Sequence, residues 1–130
     1  MQLFNLIELK NGVYRVEENR ITRLKNAKLL DNEKVLMFFL NKRCIHCLAL
    51  VPEIEGLIKH LGKKEKQTPI ILVVCDWFSE ECSEENAKKL FKEYEIESTP
   101  TILLLVKNPD GFVDKIYVDA SSLHTVRKLL

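Results

Sequence analysis

The chain has 130 residues, 46% of them hydrophobic and 30% charged, with a formal net charge of +1. This is the profile of one globular domain spanning residues 1–130, and it excludes a disordered polypeptide. A near-neutral balance gives no reason to expect nucleic acid or an anionic membrane as partner. No apolar run approaches the roughly 18 residues of a membrane span. The opening Met1-Gln2-Leu3-Phe4-Asn5-Leu6 lacks the basic and apolar regions of a signal peptide, so a cytoplasmic protein is expected.

Val13 to Val16 predicts a short strand. Asn19 to Leu30 predicts a helix, with Ile21, Leu24, Ala27 and Leu30 at helical spacing and Asn19 as cap. Asp31 to Lys34 is a turn. Val35-Leu36-Met37-Phe38-Phe39-Leu40 is a continuous apolar run, which suits a strand buried on both faces. Cys47, Leu50, Val51, Ile54, Leu57, Ile58 and Leu61 then follow helical spacing without a miss, up to Gly62 as a stop signal. Pro52 lies inside this helix and removes one of its backbone hydrogen bonds. Ile70 to Val74 predicts a second buried strand, ending in Cys75 and Asp76. Glu84 to Tyr94 predicts a helix with Ala87, Leu90, Phe91 and Tyr94 on one face. Thr101 to Val106 predicts a third apolar strand, Asn108-Pro109-Asp110-Gly111 a hairpin turn, and Phe112 to Val118 the returning strand. Ser121 to Leu130 predicts a closing helix.

Strands alternating with helices imply parallel pairing with helices on both faces, and the final hairpin must be antiparallel. The expected fold is therefore α/β: a three-layer α/β/α sandwich around a mixed central sheet. Acidic residues gather between Asp76 and Glu97. A solvated surface accounts for them.

Chemistry concentrates at Cys44-Ile45-His46-Cys47, which follows a buried strand and opens the long helix. Cys44 at a helix N-terminus meets unpaired backbone N–H groups and the positive end of the helix dipole, both of which favour a thiolate. Cys47 is one turn further in, close enough to close a disulfide and less exposed. In such a pair the first cysteine attacks a substrate disulfide and the second resolves the mixed disulfide. Lys42, Arg43 and His46 add positive charge nearby, and Arg43 and His46 are expected to tune the thiolate.

With these residues in place the sequence resembles the thioredoxin superfamily over nearly its whole length. A buried strand precedes Cys44-x-x-Cys47, and Pro52 falls five residues after the second cysteine, where thioredoxins carry a helix-kinking proline. Ser98-Thr99-Pro100-Thr101 is similar to the cis-proline segment that opens the family's fourth strand. The resemblance implies a thioredoxin-like fold and a monomeric thiol–disulfide oxidoreductase without a cofactor or metal. Its partners would be protein disulfide or dithiol substrates and a partner reductase or oxidant. Thr99 and Pro100 would then offer a backbone edge to an extended substrate. Departures stand beside the match. Arg43 replaces the family's tryptophan, Ile45-His46 replaces Gly-Pro, and Phe38 stands where many relatives carry a buried acid. A histidine before the second cysteine is similar to disulfide isomerases and periplasmic thiol oxidases, which are more oxidising.

Cys75 and Cys82 flank six residues that read as an insertion in a minimal thioredoxin. They are either two separate thiols or a second disulfide closing the loop. Zinc on four thiols, or on three with His46, is a competing chemistry. The apolar helical stripe that starts at Cys47 is unlike the loop knuckles of structural zinc sites. A second functional class is a non-enzymatic binding module on the same scaffold, with structural or regulatory cysteines. His60 sits near a helix end, where a cation is favoured, and His124 is expected on an exposed helix face.

Overall fold

The computed structural model describes residues 4–18, 20–25, 34–61 and 68–123. In chain order the elements are β1 (Gly12–Glu17), β2 (Arg20–Arg23), β3 (Lys34–Asn41), α1 (Ile45–Leu61), β4 (Ile70–Cys75), α2 (Glu85–Glu93), β5 (Thr101–Lys107) and β6 (Val113–Val118). A single 3₁₀ turn, Ala120–Ser122, follows β6.

The six strands form one sheet in the order β2-β1-β4-β3-β5-β6. Strands β3 and β4, joined through α1, are parallel, whereas the other neighbouring pairs are antiparallel. The expectation of parallel pairing thus holds for β3 and β4 but not for β5. After α2 the chain runs back along β3 in the opposite sense, with Phe39 opposite Thr101. The last hairpin turns at Gly111, whose φ of +92° suits glycine, and its N–H donates to the Asn108 carbonyl at 3.0 Å.

Strand alternation divides the core in two. Leu36, Phe38, Leu40, Ile70, Leu72, Val74, Ile102 and Leu104 point to the α1 side, where they meet Leu50, Val51, Ile54, Leu57, Ile58 and Leu61. Val35, Met37, Phe39, Ile71, Val73, Cys75, Leu103 and Leu105 point to the α2 side, against Ala87, Leu90 and Phe91. The run from Val35 to Leu40 is fully buried because both its faces are covered. Helix α2 is capped by the Glu84 carboxylate, which accepts from the Asn86 and Ala87 N–H groups at 3.0 and 2.9 Å. Edge-on stacking of Phe39 against Phe91, with ring centroids 5.3 Å apart, locks α2 to the sheet.

The helix expected over Asn19 to Leu30 is corrected at its start. Residues Arg20–Arg23 form a strand that pairs with β1, placing Ile21 opposite Val16 and Arg20 opposite Glu17. Ile21 and Thr22 are β-branched, and a short hairpin gives Ile21 a place against the α1-side cluster. Asn19, Ala27, Leu30 and Gly62 lie outside the described residues, as do His124 and most of the closing helix.

Candidate functional site

The C-terminal ends of β3 and β4 and the entry to β5 come together at one end of the sheet. Asn41 pairs with Cys75 there, and Thr99 lies two residues before Thr101, the partner of Phe39. Cys44 follows β3 through a tight turn in which its N–H donates to the Asn41 carbonyl at 3.2 Å.

Cys44 is the residue just ahead of α1. Its carbonyl accepts from the Leu48 N–H at 3.1 Å, and its sulfur accepts from the Cys47 N–H at 3.2 Å. The sulfur thus does for this helix what a serine or aspartate oxygen does at an ordinary N-cap. As a thiol, Cys44 donates to the Thr99 carbonyl at 3.5 Å, across the cis Thr99–Pro100 peptide.

The electrostatics of the two sulfurs diverge. Burial raises the Cys44 pKa, but hydrogen bonds from the Cys47 and Thr99 side chains and from the Cys47 and His46 backbone N–H groups outweigh it, so the net shift is downward. Cys47 is pushed up to about 12, first by burial and then by its hydrogen bond to Cys44. Access follows the same order, since Cys44 keeps 8% exposure and Cys47 none.

Arg43 and His46, the side chains expected to tune the thiolate, are both exposed. The Arg43 guanidinium is paired with the Glu81 carboxylate at 2.7 Å. His46 is exposed and acts on Cys44 through its backbone N–H. That N–H is available because His46 stands in the first turn of α1. Ile45, the residue after Cys44, is 75% exposed.

The second pair of cysteines is joined: the Cys75 and Cys82 sulfurs are bonded at 2.13 Å. Of the two alternatives for these residues, the structure has the bridge. It closes a loop in which Trp77 and Glu81 exchange backbone hydrogen bonds of 3.3 and 3.1 Å. Phe78 packs its ring toward Phe91 and stacks edge-on with Trp77, which is 40% exposed. The two sulfur pairs lie on opposite sides of the sheet, Cys44 and Cys47 with α1, Cys75 and Cys82 with α2. The four sulfurs therefore do not converge on one tetrahedral centre.

One residue of the site escaped the sequence reading. Asn41 is fully buried at the end of β3. Its Nδ2 donates to Thr99 Oγ1 at 3.1 Å, and its Oδ1 accepts from the Phe78 N–H at 2.8 Å. The available signal was a lone amide between six apolar residues and Lys42-Arg43-Cys44.

No family model matches the sequence, and no curated protein matches it. Among solved structures the chain is similar to thioredoxin from Aeropyrum pernix at 21% identity and a TM-score of 0.64, over 97% of this chain and 100% of that one. It is also similar to mitochondrial thioredoxin 3 from Saccharomyces cerevisiae, in its oxidised form, at 23% identity and a TM-score of 0.50, over 78% of this chain and 83% of that one. Identities of this size carry the architecture, and with it the conclusion that the chain has a thioredoxin-like fold.

Proposed function

We propose that the protein is a thiol–disulfide oxidoreductase acting on protein disulfides, with Cys44 as nucleophile and Cys47 as resolving thiol. The observation that carries this reading is the N-cap position of the Cys44 sulfur. It accepts the Cys47 N–H at the start of α1, so negative charge on it is stabilised by the helix end.

The Cys44 thiolate attacks one sulfur of the substrate disulfide, and the other substrate sulfur leaves as thiolate. Cys47 then attacks Cys44 in the mixed disulfide and expels the first substrate sulfur, so two electrons pass from the protein dithiol to the substrate. Two of the causes that hold Cys47 protonated, its hydrogen bond to Cys44 and the Cys44 charge, belong to the Cys44 thiolate. Both vanish once Cys44 is bonded to substrate, so Cys47 becomes easier to ionise at the step that needs it. A departing substrate thiolate is the base for that proton, at a site where Phe38 supplies none. The Thr99 carbonyl lies 3.5 Å from the Cys44 sulfur, which supports a reading in which the Thr99 backbone pairs with an extended substrate strand.

The test is reduction of insulin by the protein with dithiothreitol as electron donor, alongside capture of substrate by the single cysteine variants. Cys47→Ser retains attack and loses release, so it accumulates mixed disulfides. Cys44→Ser loses both attack and capture. Equal capture by the two variants, or no catalysis by the parent protein, overturns the assignment.

A further inference from the structure

Three strands end side by side at this site, and their ends form a row. Register places Cys75 opposite Asn41 on one side. On the other side, Phe39 opposite Thr101 leaves Asn41 next to Thr99. Asn41, at the centre, is fully buried, and both ends of its amide are in use. Its NH₂ group donates to Thr99 Oγ1 at 3.1 Å, and its carbonyl oxygen accepts from Phe78 N–H at 2.8 Å. Its backbone carbonyl accepts from Cys44 N–H at 3.2 Å. No other residue touches the nucleophile's turn, the Thr99 segment and the disulfide-closed loop through hydrogen bonds of this kind among the described residues.

The orientation of these groups decides what Thr99 can do. A threonine hydroxyl has one proton to give and two lone pairs to accept with. Asn41 Nδ2 is a donor only, so it occupies a lone pair of Thr99 Oγ1 and leaves the hydroxyl proton free. The Asn41 carbonyl oxygen, which would otherwise compete for that proton, is turned away from Thr99 toward the Phe78 N–H. The Cys44 sulfur lies against the same residue, 3.5 Å from the Thr99 carbonyl, and hydrogen bonding from the Thr99 side chain favours the thiolate at both Cys44 and Cys47.

We propose that Asn41 is a positioning residue for thiol exchange: anchored by the Phe78 N–H of the disulfide-closed loop, its amide directs the Thr99 hydroxyl proton onto the paired sulfurs. This deepens the oxidoreductase reading and rests on it for its biological meaning, but its physical content is the ionisation of Cys44. Phe38 offers no charge at this site, and a neutral amide–hydroxyl relay can stabilise a thiolate without one.

The test is the pH profile of Cys44 alkylation by iodoacetamide, from about pH 5 to about pH 10, read by mass on protein whose Cys75–Cys82 bridge is intact. Asn41→Ala and Thr99→Val should each move the midpoint upward and slow alkylation below it by about threefold to tenfold. The double variant should be no slower than Thr99→Val alone, because Asn41 acts through Thr99. Thr99→Ser, which keeps the hydroxyl, should restore the parental midpoint. Fluorescence of Trp77, the single tryptophan, separates the two ends of the amide. It should change in Asn41→Ala, where Phe78 loses its anchor, and stay as in the parent in Thr99→Val. Should Asn41→Ala fail to fold, Asn41→Leu keeps the volume and removes both polar ends. An unchanged profile in Thr99→Val overturns the proposal without any Asn41 variant, and so does an additive double variant. Failure of insulin reduction with these profiles as expected would remove the oxidoreductase reading and leave the positioning role standing.

Discussion

Reducing the Cys75–Cys82 bridge should lower stability by an amount fixed almost wholly by the unfolded chain. The bridge spans a sequence separation of 7. Closing a loop that short removes denatured-state entropy equivalent to about 2.5 kcal/mol at 25 °C. The native loop has its own fastenings: the Trp77–Glu81 pair of backbone bonds, the Phe78 N–H on Asn41, and the Phe78 ring toward Phe91. These remain when the sulfurs part, so no native contact cost adds to the entropic one. For a chain of 130 residues, an unfolding entropy of about 2.1 cal/mol/K per residue converts this to a fall in Tm of about 9 °C. The comparison uses the Cys44→Ser/Cys47→Ser variant, oxidised against reduced, so that only this bridge changes. Denaturant unfolding followed by far-UV circular dichroism gives the free-energy difference. Non-reducing peptide mapping of the same sample establishes that the bridge is present. If the loop came loose on reduction, Phe78 burial would add about 2 kcal/mol and three lost hydrogen bonds about 1 kcal/mol each. A loss above about 5 kcal/mol would therefore refute the claim that the loop holds itself. A loss below about 1 kcal/mol would refute the entropic account.

Three further outcomes are expected. In the reduced protein, Cys44 binds its proton less tightly than an unfolded thiol, so its contribution to stability grows as pH rises toward about 9. Cys47 runs the other way: above about pH 9 the unfolded thiol ionises while the folded one, at about 12, does not, and stability falls by up to about 1.4 kcal/mol per pH unit in that window. The difference between parent and Cys47→Ala in denaturant titrations isolates this fall, and parallel curves would disprove it. A double-mutant cycle of Arg43→Ala and Glu81→Ala should give a coupling below about 1 kcal/mol, because both side chains are more than half exposed at 58% and 54%. A larger coupling would mean that the pair holds the loop. Equilibration of the Cys44–Cys47 pair with glutathione, read by alkylation and mass, should give a potential above the roughly −270 mV of thioredoxin, since the groups that stabilise the Cys44 thiolate stabilise the reduced state. A value well below that figure would contradict the thiolate argument.

Sequence was informative wherever structure is decided locally. The runs Val35–Leu40 and Ile70–Val74 are apolar at every position because both faces of β3 and β4 are covered, and α1 buries all seven residues of the predicted stripe from Cys47 to Leu61. The N-terminal hairpin was illegible for a specific reason. Ile21 and Leu24 satisfy a helical spacing, while the same stretch also contains the alternation of Arg20-Ile21-Thr22-Arg23, and only the presence of β1 as a partner favours the strand. Arg43 read as a charge near Cys44, but its partner Glu81 is 38 residues away, on a loop beyond the next strand. Asn41 was missed for the same kind of reason. A polar residue after an apolar run looks like the place where a strand stops, and its use comes from Thr99 and Phe78, 58 and 37 residues on.

The two cysteine pairs show how one functional group acquires two chemistries within a single short span of sheet. Asn41 and Cys75 are cross-strand neighbours, and Cys44 is only a turn beyond Asn41. Strand alternation sends Cys75 to the α2 side, among Val73, Phe91 and other apolar groups, with its sulfur closed on Cys82. Cys44 leaves the strand, reaches the α1 side and meets the helix N-terminus, where a backbone N–H points at its sulfur. A thiolate is stabilised in the second setting and opposed by the first. The sheet stands between the two pairs, with Cys44 and Cys47 packed on its α1 side and Cys75 and Cys82 on its α2 side. On the proposed reading, a bridge so placed stays closed on the α2 side, beside the loop that anchors Asn41, while the Cys44–Cys47 pair on the α1 side alternates between dithiol and disulfide.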